Sequence, residues 1–232
     1  MSKTAILADI HANLPAMQAV LAEATALGCE RVLLGGDLVG YGEHPVECIR
    51  LAMQSGFAGV TGNHEKLALE IHATNAANIP ARWRRDAMMA SLIRTAAALS
   101  PDEVQWLAEL PYFKTLPGAI LVHASLDDPK AWNYIEEAAD ALPSLQIARG
   151  HRRHVVFCGH THAQRLFTDP EDARKAQQIE ENCYRIPPGL ATVVTVGSVG
   201  RPRSDDHDER AAWVQWDSIE RTMTFQRTEY AN

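Results

Sequence analysis

Aspartate, histidine and asparagine recur in this chain in short glycine-flanked clusters. These are Asp9-Ile10-His11, Gly36-Asp37, Gly62-Asn63-His64-Glu65 and Gly159-His160-Thr161-His162, with His123 between the last two. Taken singly, each has an ordinary explanation. A D-x-H is a common loop, Asp37 after two glycines serves as a helix cap or turn residue, and His123 alone is a core histidine. Their joint occurrence is harder to explain, because burying several imidazoles without a metal or other partners is costly. Residues i and i+2 of an extended segment point to the same face. Asp9/His11 and His160/His162 are therefore each expected to aim both side chains into one cleft. The neighbouring glycines let the backbone turn sharply and leave room beside the site. Two Asp (Asp9, Asp37), one Asn (Asn63) and four His (His11, His123, His160, His162) make a mixed oxygen and nitrogen donor set. It is too large for one tetrahedral zinc and contains no thiolate. It suits two borderline divalent ions such as Mn, Fe, Zn, Ni or Co. Two ions about 3.5–4 Å apart can hold a hydroxide between them and clamp the oxygens of an in-line displacement at phosphorus.

The elements that carry these clusters alternate in a regular way. Thr4 to Ala8 is short and apolar and reads as a strand. After the start signals Asn13 and Pro15, the residues Ala16, Met17, Val20, Leu21, Ala24 and Leu27 recur at helical spacing, and Gly28 ends the run. Arg31 to Leu34 is a second strand, Pro45 to Gln54 a second helix and Phe57 to Val60 a third strand. That order predicts a parallel sheet with right-handed crossovers. Residues from about 64 to 109 are helical by composition, punctuated by Pro80 and Pro101. Short strands are then expected at Ala119 to His123, His154 to Cys158, Thr192 to Val196, Ala212 to Trp216 and Arg221 to Arg227, the last two forming a hairpin. The polar runs Asp169 to Asn182 and Arg203 to Arg210 read as surface excursions. With no internal repeat and no linker, residues 1–232 are expected to form one domain of two packed sheets flanked by helices. Each polar cluster then follows an apolar strand, and the carboxyl ends of strands share one edge, where such sheets bind ligands.

Composition limits the partners. Across 232 residues, 46% are hydrophobic and 22% charged, the balance of an ordinary soluble globular protein. The net charge of −7 argues against general nucleic-acid binding, which needs a basic face. No apolar run approaches a membrane span, and Asp9 and His11 come too early for a signal-peptide core. Cys29, Cys48, Cys158 and Cys183 stand apart with no CxxC pair, as expected of free thiols in a reducing compartment. A cytoplasmic location follows as an expectation. Ten histidines is a high number for this length. His44, His72 and His207 have no motif around them and are expected at the surface. The run Arg149, His151, Arg152, Arg153, His154 is expected to be a solvated turn, and Trp83, Trp106, Trp213 and Trp216 core or half-buried.

The order D-x-H, G-D, G-N-H-E, H, G-H-x-H resembles the calcineurin-like metallophosphoesterase family. Gly197-Ser198-Val199-Gly200, and His123-Ala124-Ser125 followed by Asp128-Pro129, Trp132 and Tyr134, are similar to its small bacterial branch. The resemblance implies a four-layer α/β/β/α sandwich of two mixed sheets with a dinuclear metal site at the strand ends. It implies that Asp9, His11 and His162 hold one metal, that Asn63, His123 and His160 hold the other, and that Asp37 bridges. A metal-bridging hydroxide would attack phosphorus in line, with His64 outside the metal shell donating a hydrogen bond or proton. Small phosphodiesters or phosphomonoesters are the implied substrates, with Asn63, His64, Tyr41, Trp132, Arg201 and Arg203 as candidate substrate contacts. A Ser/Thr protein phosphatase, a dinucleoside-polyphosphate hydrolase and a metal-bound regulatory module without turnover stay open as alternatives. The protein phosphatases resemble G-D-x-V-D-R-G, where this chain has Gly36-Asp37-Leu38-Val39-Gly40-Tyr41-Gly42. Gly40 stands in place of an orienting Asp, and Tyr41 and Thr61 in place of two arginines. Arg201 and Arg203 are the candidate replacements.

Overall fold

Alternating apolar residues sort the strands into three stacked cores. In the computed structural model, which describes residues 3–74, 78–151, 154–169, 177–203 and 208–231, β1 (Lys3–Leu7) carries Ala5 and Leu7 on one face and Ile6 on the other. The first pair packs against helices, while Ile6 packs between two sheets. β5 (Ala119–Val122) repeats the device: Ala119 and Leu121 face the space between the sheets, Ile120 and Val122 the outer helix. A strand buried on both faces reads as a continuous apolar run, as Val155 to Cys158 does. Each large side chain fully withdrawn from water contributes about 1.5–3 kcal/mol. Phe157 and Trp216 meet edge to face across the two sheets, 5.5 Å between centroids.

The first sheet runs β3-β2-β1-β11-β12-β9. Its members besides β1 are β2 (Arg31–Leu34), β3 (Ala58–Gly59), β9 (Cys183–Arg185), β11 (Ala211–Asp217) and β12 (Thr222–Thr228). β1, β2 and β3 are parallel, joined by α1 (Leu14–Ala26) and α2 (Pro45–Gln54); β11 pairs antiparallel with β1 and with β12. The second sheet runs β4-β5-β6-β10-β7-β8. It adds β4 (Phe113–Leu116), β6 (Val155–Cys158), β7 (Gln164–Asp169), β8 (Gln177–Ile179) and β10 (Ala191–Val196) to β5. The three helices α3 (Asn63–Ala73), α4 (Ala87–Ala98) and α5 (Pro101–Glu109) lie with α1 and α2 on the first sheet, and α6 (Ala138–Gly150) covers the second. The result is a four-layer α/β/β/α sandwich of two mixed sheets. Among the described residues no helix is long and apolar enough to cross a membrane.

Several expectations need correction. Among the described residues the stretch 64–109 holds three helices; α4 and α5 are capped by Asp86 and Ser100, whose side chains accept from Met89 and Glu103 N–H groups. The third strand shrinks to Ala58–Gly59, in register with Leu33 and Leu34 of β2, and Val60 N–H adds one further bond to the Leu34 carbonyl at 2.9 Å. Within the run Asp169 to Asn182, Gln177–Ile179 is an edge strand on β7, and Asp169 is buried with its carboxylate on Arg149 at 2.8 Å. Residues 170–176 lie outside the described residues, as do Arg152, Arg153, His207 and 204–207 of the second polar run. α6 has no clean helical period and carries an internal Pro143, so it is legible only through its packing on the second sheet.

Candidate metal centre

The loops that leave the strand ends are laced together before any side chain is considered. Asp9, His11 and Ala12 N–H groups donate to the carbonyls of Gly36, Asp37 and Leu38 at 2.9–3.0 Å. Gly200 N–H and Ser198 Oγ both donate to the Asp9 carbonyl, at 3.0 and 2.6 Å, so the Gly-Ser-Val-Gly turn braces the first loop from behind. The expectation of extended i, i+2 pairs is not met. Asp9, His11, Asp37, His160 and His162 all hold positive φ, between 49° and 67°. With Ala12, Tyr41 and Trp132 they account for every positive-φ non-glycine among the described residues except Arg221. Such residues cost of order 1–3 kcal/mol each and persist where the surroundings over-determine them. The D-x-H and H-x-H side chains still converge, because residues i and i+2 adopt the same left-handed turn.

The glycines of the motifs make room for carboxylates. Asp9 Oδ2 accepts the His160 N–H at 2.9 Å, and a Cβ on Gly159 would lie 2.5 Å from that oxygen. Asp37 Oδ1 accepts the His64 N–H at 2.9 Å, and a Cβ on Gly62 would lie 2.2 Å from it. Each aspartate thus spends one oxygen on the next motif and turns the other toward the histidines. Asp9 Oδ1 lies 3.5 Å from His162 Nε2 and 3.9 Å from His11 Nε2. Asp37 Oδ2 sits 3.4 Å from His123 Nε2, 3.7 Å from His64 Nε2 and 4.0 Å from His11 Nε2, within reach of every group around it.

The histidines are oriented from behind. His11, His123 and His162 meet the carbonyls of Val39, Gly35 and Arg201 through Nδ1, at 3.1, 2.8 and 2.9 Å. A carbonyl only accepts, so Nδ1 carries the proton and Nε2 of a neutral ring presents a lone pair. His11 and His162 face each other at Nε2, 3.0 Å apart. Burial pushes His11 well below its ordinary value and takes His162 to about 4, so both are neutral near pH 7 and two lone pairs oppose each other. Burial likewise takes His160 to about 4, and its Nε2 is buried with no partner among the described residues, as is Asp9 Oδ1. His123 differs: burial depresses it, but Asp37 and Asp9 outweigh that and push it up to about 10. Asp37 shows the other half of the pair; burial raises it, yet His123, His64 and His11 hold it well below the carboxylate range. Opposed lone pairs and buried, unpartnered donor atoms are the arrangement that a cation satisfies. Asp9/His11/His162 and Asp37/His123/His160 each gather their donor atoms within 4.8 Å, and Asn63 Oδ1 adds a further oxygen 3.1 Å from His123 Nε2. The residues present fit divalent metal binding.

His64 follows Asn63 at the start of α3, half enclosed by rings: His11 at 4.7 Å and Tyr41 at 5.1 Å. Its Nδ1 is buried without a partner among the described residues, and a Cβ on Gly40 (φ +89°) would stand 2.0 Å from it. No side chain fits at position 40 while His64 keeps this place. Burial lowers the His64 pKa, opposed by Asp37. Glu65, to which the motif alone assigns no role, accepts N–H groups of Asp37, Leu38, Val39 and Gly62 at 2.7–3.2 Å, tying the Asp37 loop to the start of α3. An acid at the third helical position is the one signal that points to this clamp.

The other candidates fall around the rim. Tyr41 packs edge-on to His11 at 4.8 Å, and the Arg201 guanidinium covers its ring at 4.2 Å. Arg203 is exposed and its charge contributes to depressing His162. A cleft of about 400 Å³ opens here, lined by His11, Asn13, Tyr41, His44 and Arg201. Trp132 lies at the opposite end, 5.8 Å from His123. Thr61 is fully buried and the four cysteines are free thiols.

Comparison with known proteins places this geometry. Residues 3–218 match the calcineurin-like phosphoesterase superfamily domain. The uncharacterized protein MJ0912 of Methanocaldococcus jannaschii is 26% identical over 233 residues, 99% of this chain and 88% of that one. A metallophosphoesterase from Sphaerobacter thermophilus is similar in structure with a TM-score of 0.81 and 26% identity, covering 99% of this chain and 89% of that one. The hypothetical protein PH1004 from Pyrococcus horikoshii OT3 shares the fold with a TM-score of 0.69 at 19% identity, over 100% and 90% of the two chains.

Proposed function

Because the chain belongs to the calcineurin-like phosphoesterase superfamily and is a metal-dependent phosphoesterase, we propose that it hydrolyses small phosphodiesters or phosphomonoesters with two divalent ions. Asp9, His11 and His162 would hold one ion, Asn63, His123 and His160 the other, and Asp37 would serve both. The ions, when bound, supply Lewis acidity toward the phosphoryl oxygens and activate water as a nucleophile near neutral pH. The observation that carries this reading is the convergence of seven donor side chains in which, among the described residues, Asp9 Oδ1 and His160 Nε2 are buried without a partner and the Nε2 atoms of His11 and His162 face each other at 3.0 Å.

The chain's own residues do the positioning. Asp37 orients three imidazoles at once. His64 donates a hydrogen bond from Nε2 to the phosphoryl group or the departing oxygen; its ring packs against His11 and Tyr41, with Asp37 Oδ2 3.7 Å from Nε2. Arg201 and Arg203, on the Asp9/His11/His162 side, supply cationic contacts to non-bridging oxygens. Tyr41 and the buried Thr61 offer no cation where the protein phosphatases carry arginines, which supports small esters over a phosphoprotein. A cytoplasmic site of action and a single domain over 1–232 belong to the same proposal.

The test is reconstitution. Protein stripped of metal and reloaded with Mn²⁺, Fe²⁺, Zn²⁺, Ni²⁺ or Co²⁺ is assayed with p-nitrophenyl phosphate and bis(p-nitrophenyl) phosphate while bound metal is measured by mass spectrometry. Turnover of either ester with two ions per chain is expected. Two bound ions and no turnover of either ester with any metal would overturn the proposal in favour of a regulatory module.

A further inference from the structure

The end of the site formed by His123 and His160 is walled by three rings. Trp132 sets its ring edge-on to His123, 5.8 Å between centroids at 70°, and lies 5.8 Å from Tyr112 at 34°. Tyr134 stacks on His160 at 4.1 Å and 27° and is nonetheless 49% exposed. Trp132 is held at φ 57°, a conformation that a bulky residue adopts only under constraint. At the other end of the site the Tyr41 face is already taken by Arg201. Open ring surface next to the candidate ligands therefore lies on the Trp132/Tyr134 side.

Two ammonium groups attend the same wall. Lys66 Nζ, from the fourth residue of α3, and Lys130 Nζ, from the segment after β5, lie 4.9 and 5.1 Å from the Tyr112 centroid. Neither pairs with a carboxylate among the described residues. Two ammonium groups brought to one ring by different elements are placed to hold an anion between them. A bare phosphate would use the cations and not the rings. An apolar ester would use the rings and be disfavoured by the cations. An aromatic group that carries its own anion uses both.

We propose that Tyr112, Trp132 and Tyr134 with Lys66 and Lys130 form a subsite for a nucleotide-like arm of the substrate, its ring stacked on the wall and a further phosphate held by the two lysines. The inference rests on the phosphoester-hydrolase reading, which puts the scissile phosphorus beside His123 and His160.

Equilibrium titration of the protein, both metal-free and loaded with Mn²⁺, tests it, with ADP, AMP, adenosine and inorganic phosphate as probes and tryptophan fluorescence and calorimetry as readouts. ADP is expected to bind most tightly, ahead of AMP and well ahead of adenosine or phosphate. The double variant Lys66→Ala/Lys130→Ala should weaken ADP about tenfold or more and leave adenosine affinity as it was. Tyr134→Ala, at a half-exposed position, should weaken ADP and adenosine about tenfold and leave phosphate binding alone. Trp132→Phe should abolish most of the fluorescence change while calorimetry still reports ADP binding. ADP no tighter than inorganic phosphate, or unaltered ADP affinity in the double variant, would overturn the subsite. Turnover of p-nitrophenyl phosphate or bis(p-nitrophenyl) phosphate by the unaltered protein decides the parent reading separately: turnover of either ester with a negative titration removes only the subsite, and no turnover of either ester with any metal removes the parent reading.

Discussion

At the scale of single residues, Asp37 and His64 divide two roles. Asp37 Oδ2 lies within 4.0 Å of the Nε2 atoms of His11, His64 and His123. Asp37→Asn keeps the shape and removes the charge, so it is expected to lose at least one metal equivalent. The accompanying fall in kcat/KM should exceed the roughly 10–100-fold loss typical of a group that only orients a ligand. Metal content and steady-state kinetics of the variant check both. His64→Ala should instead keep both ions and lower kcat about 10²-fold or more, the range for a positioned proton or hydrogen-bond donor. Normal turnover by that variant would remove His64 from the reaction. The motif marks His64 as special without saying how it is held. Only the three-dimensional arrangement reveals that Gly40 is empty because the imidazole occupies its space.

Between elements, the site is a set of backbone loops tied by side chains that never touch substrate. Glu65 holds four N–H groups of two loops in a fully buried position. Glu65→Gln turns an amide N–H₂ toward some of these donors and leaves them unsatisfied. It should destabilise the fold by about 2–3 kcal/mol in urea unfolding and weaken metal uptake with it. A variant as stable as the parent would show that the clamp is dispensable. Gly159→Ala tests the other link. The added Cβ meets Asp9 Oδ2 at 2.5 Å and Ala8 Cβ at 2.6 Å, so the Asp9 carboxylate must move off His160 N–H. Loss of the ion assigned to Asp9, His11 and His162 with the other retained is the expected result in a metal titration. Two full equivalents would show that the loop yields without cost to the ligands.

Taken as a whole, the molecule carries a net charge of −7 around a centre whose assigned ligands include only Asp9 and Asp37 as formal anions. Two divalent ions there leave a local charge of about +2, attractive to phosphate esters despite the acidic surface. Binding of those ions only to the folded chain stabilises it by mass action, about 2.7 kcal/mol at 100 times the dissociation constant. For a chain of this size that corresponds to roughly 5–10 °C in Tm. Chelation should therefore lower the melting temperature by that amount and Mn²⁺ should restore it, as followed by differential scanning fluorimetry. An unchanged Tm would mean that no tight ion is held.

Much of this was determined by the amino-acid sequence itself. Apolar runs ending in Asp, His or Asn name the donor residues, and the strand–helix alternation puts the Asp9, Asp37 and Asn63 loops along one sheet edge, because β1, β2 and β3 are parallel. That His123 and His160 come from β5 and β6 of the second sheet was decided by the tertiary structure. Residue types and order are local properties that one-dimensional spacing preserves. The tertiary structure decided what depends on groups far apart in the chain. It selected which carboxylate oxygen is spent on His160 or His64 N–H, and which ring nitrogen is left bare by the carbonyls of Gly35, Val39 and Arg201. It also replaced the expected extended D-x-H and H-x-H pairs by left-handed turns, gathered Lys66, Tyr112 and Lys130 beside one another, and gave Glu65 its four partners. Direction of a lone pair and proximity of a charge are set by packing between elements, and no period in the sequence records them.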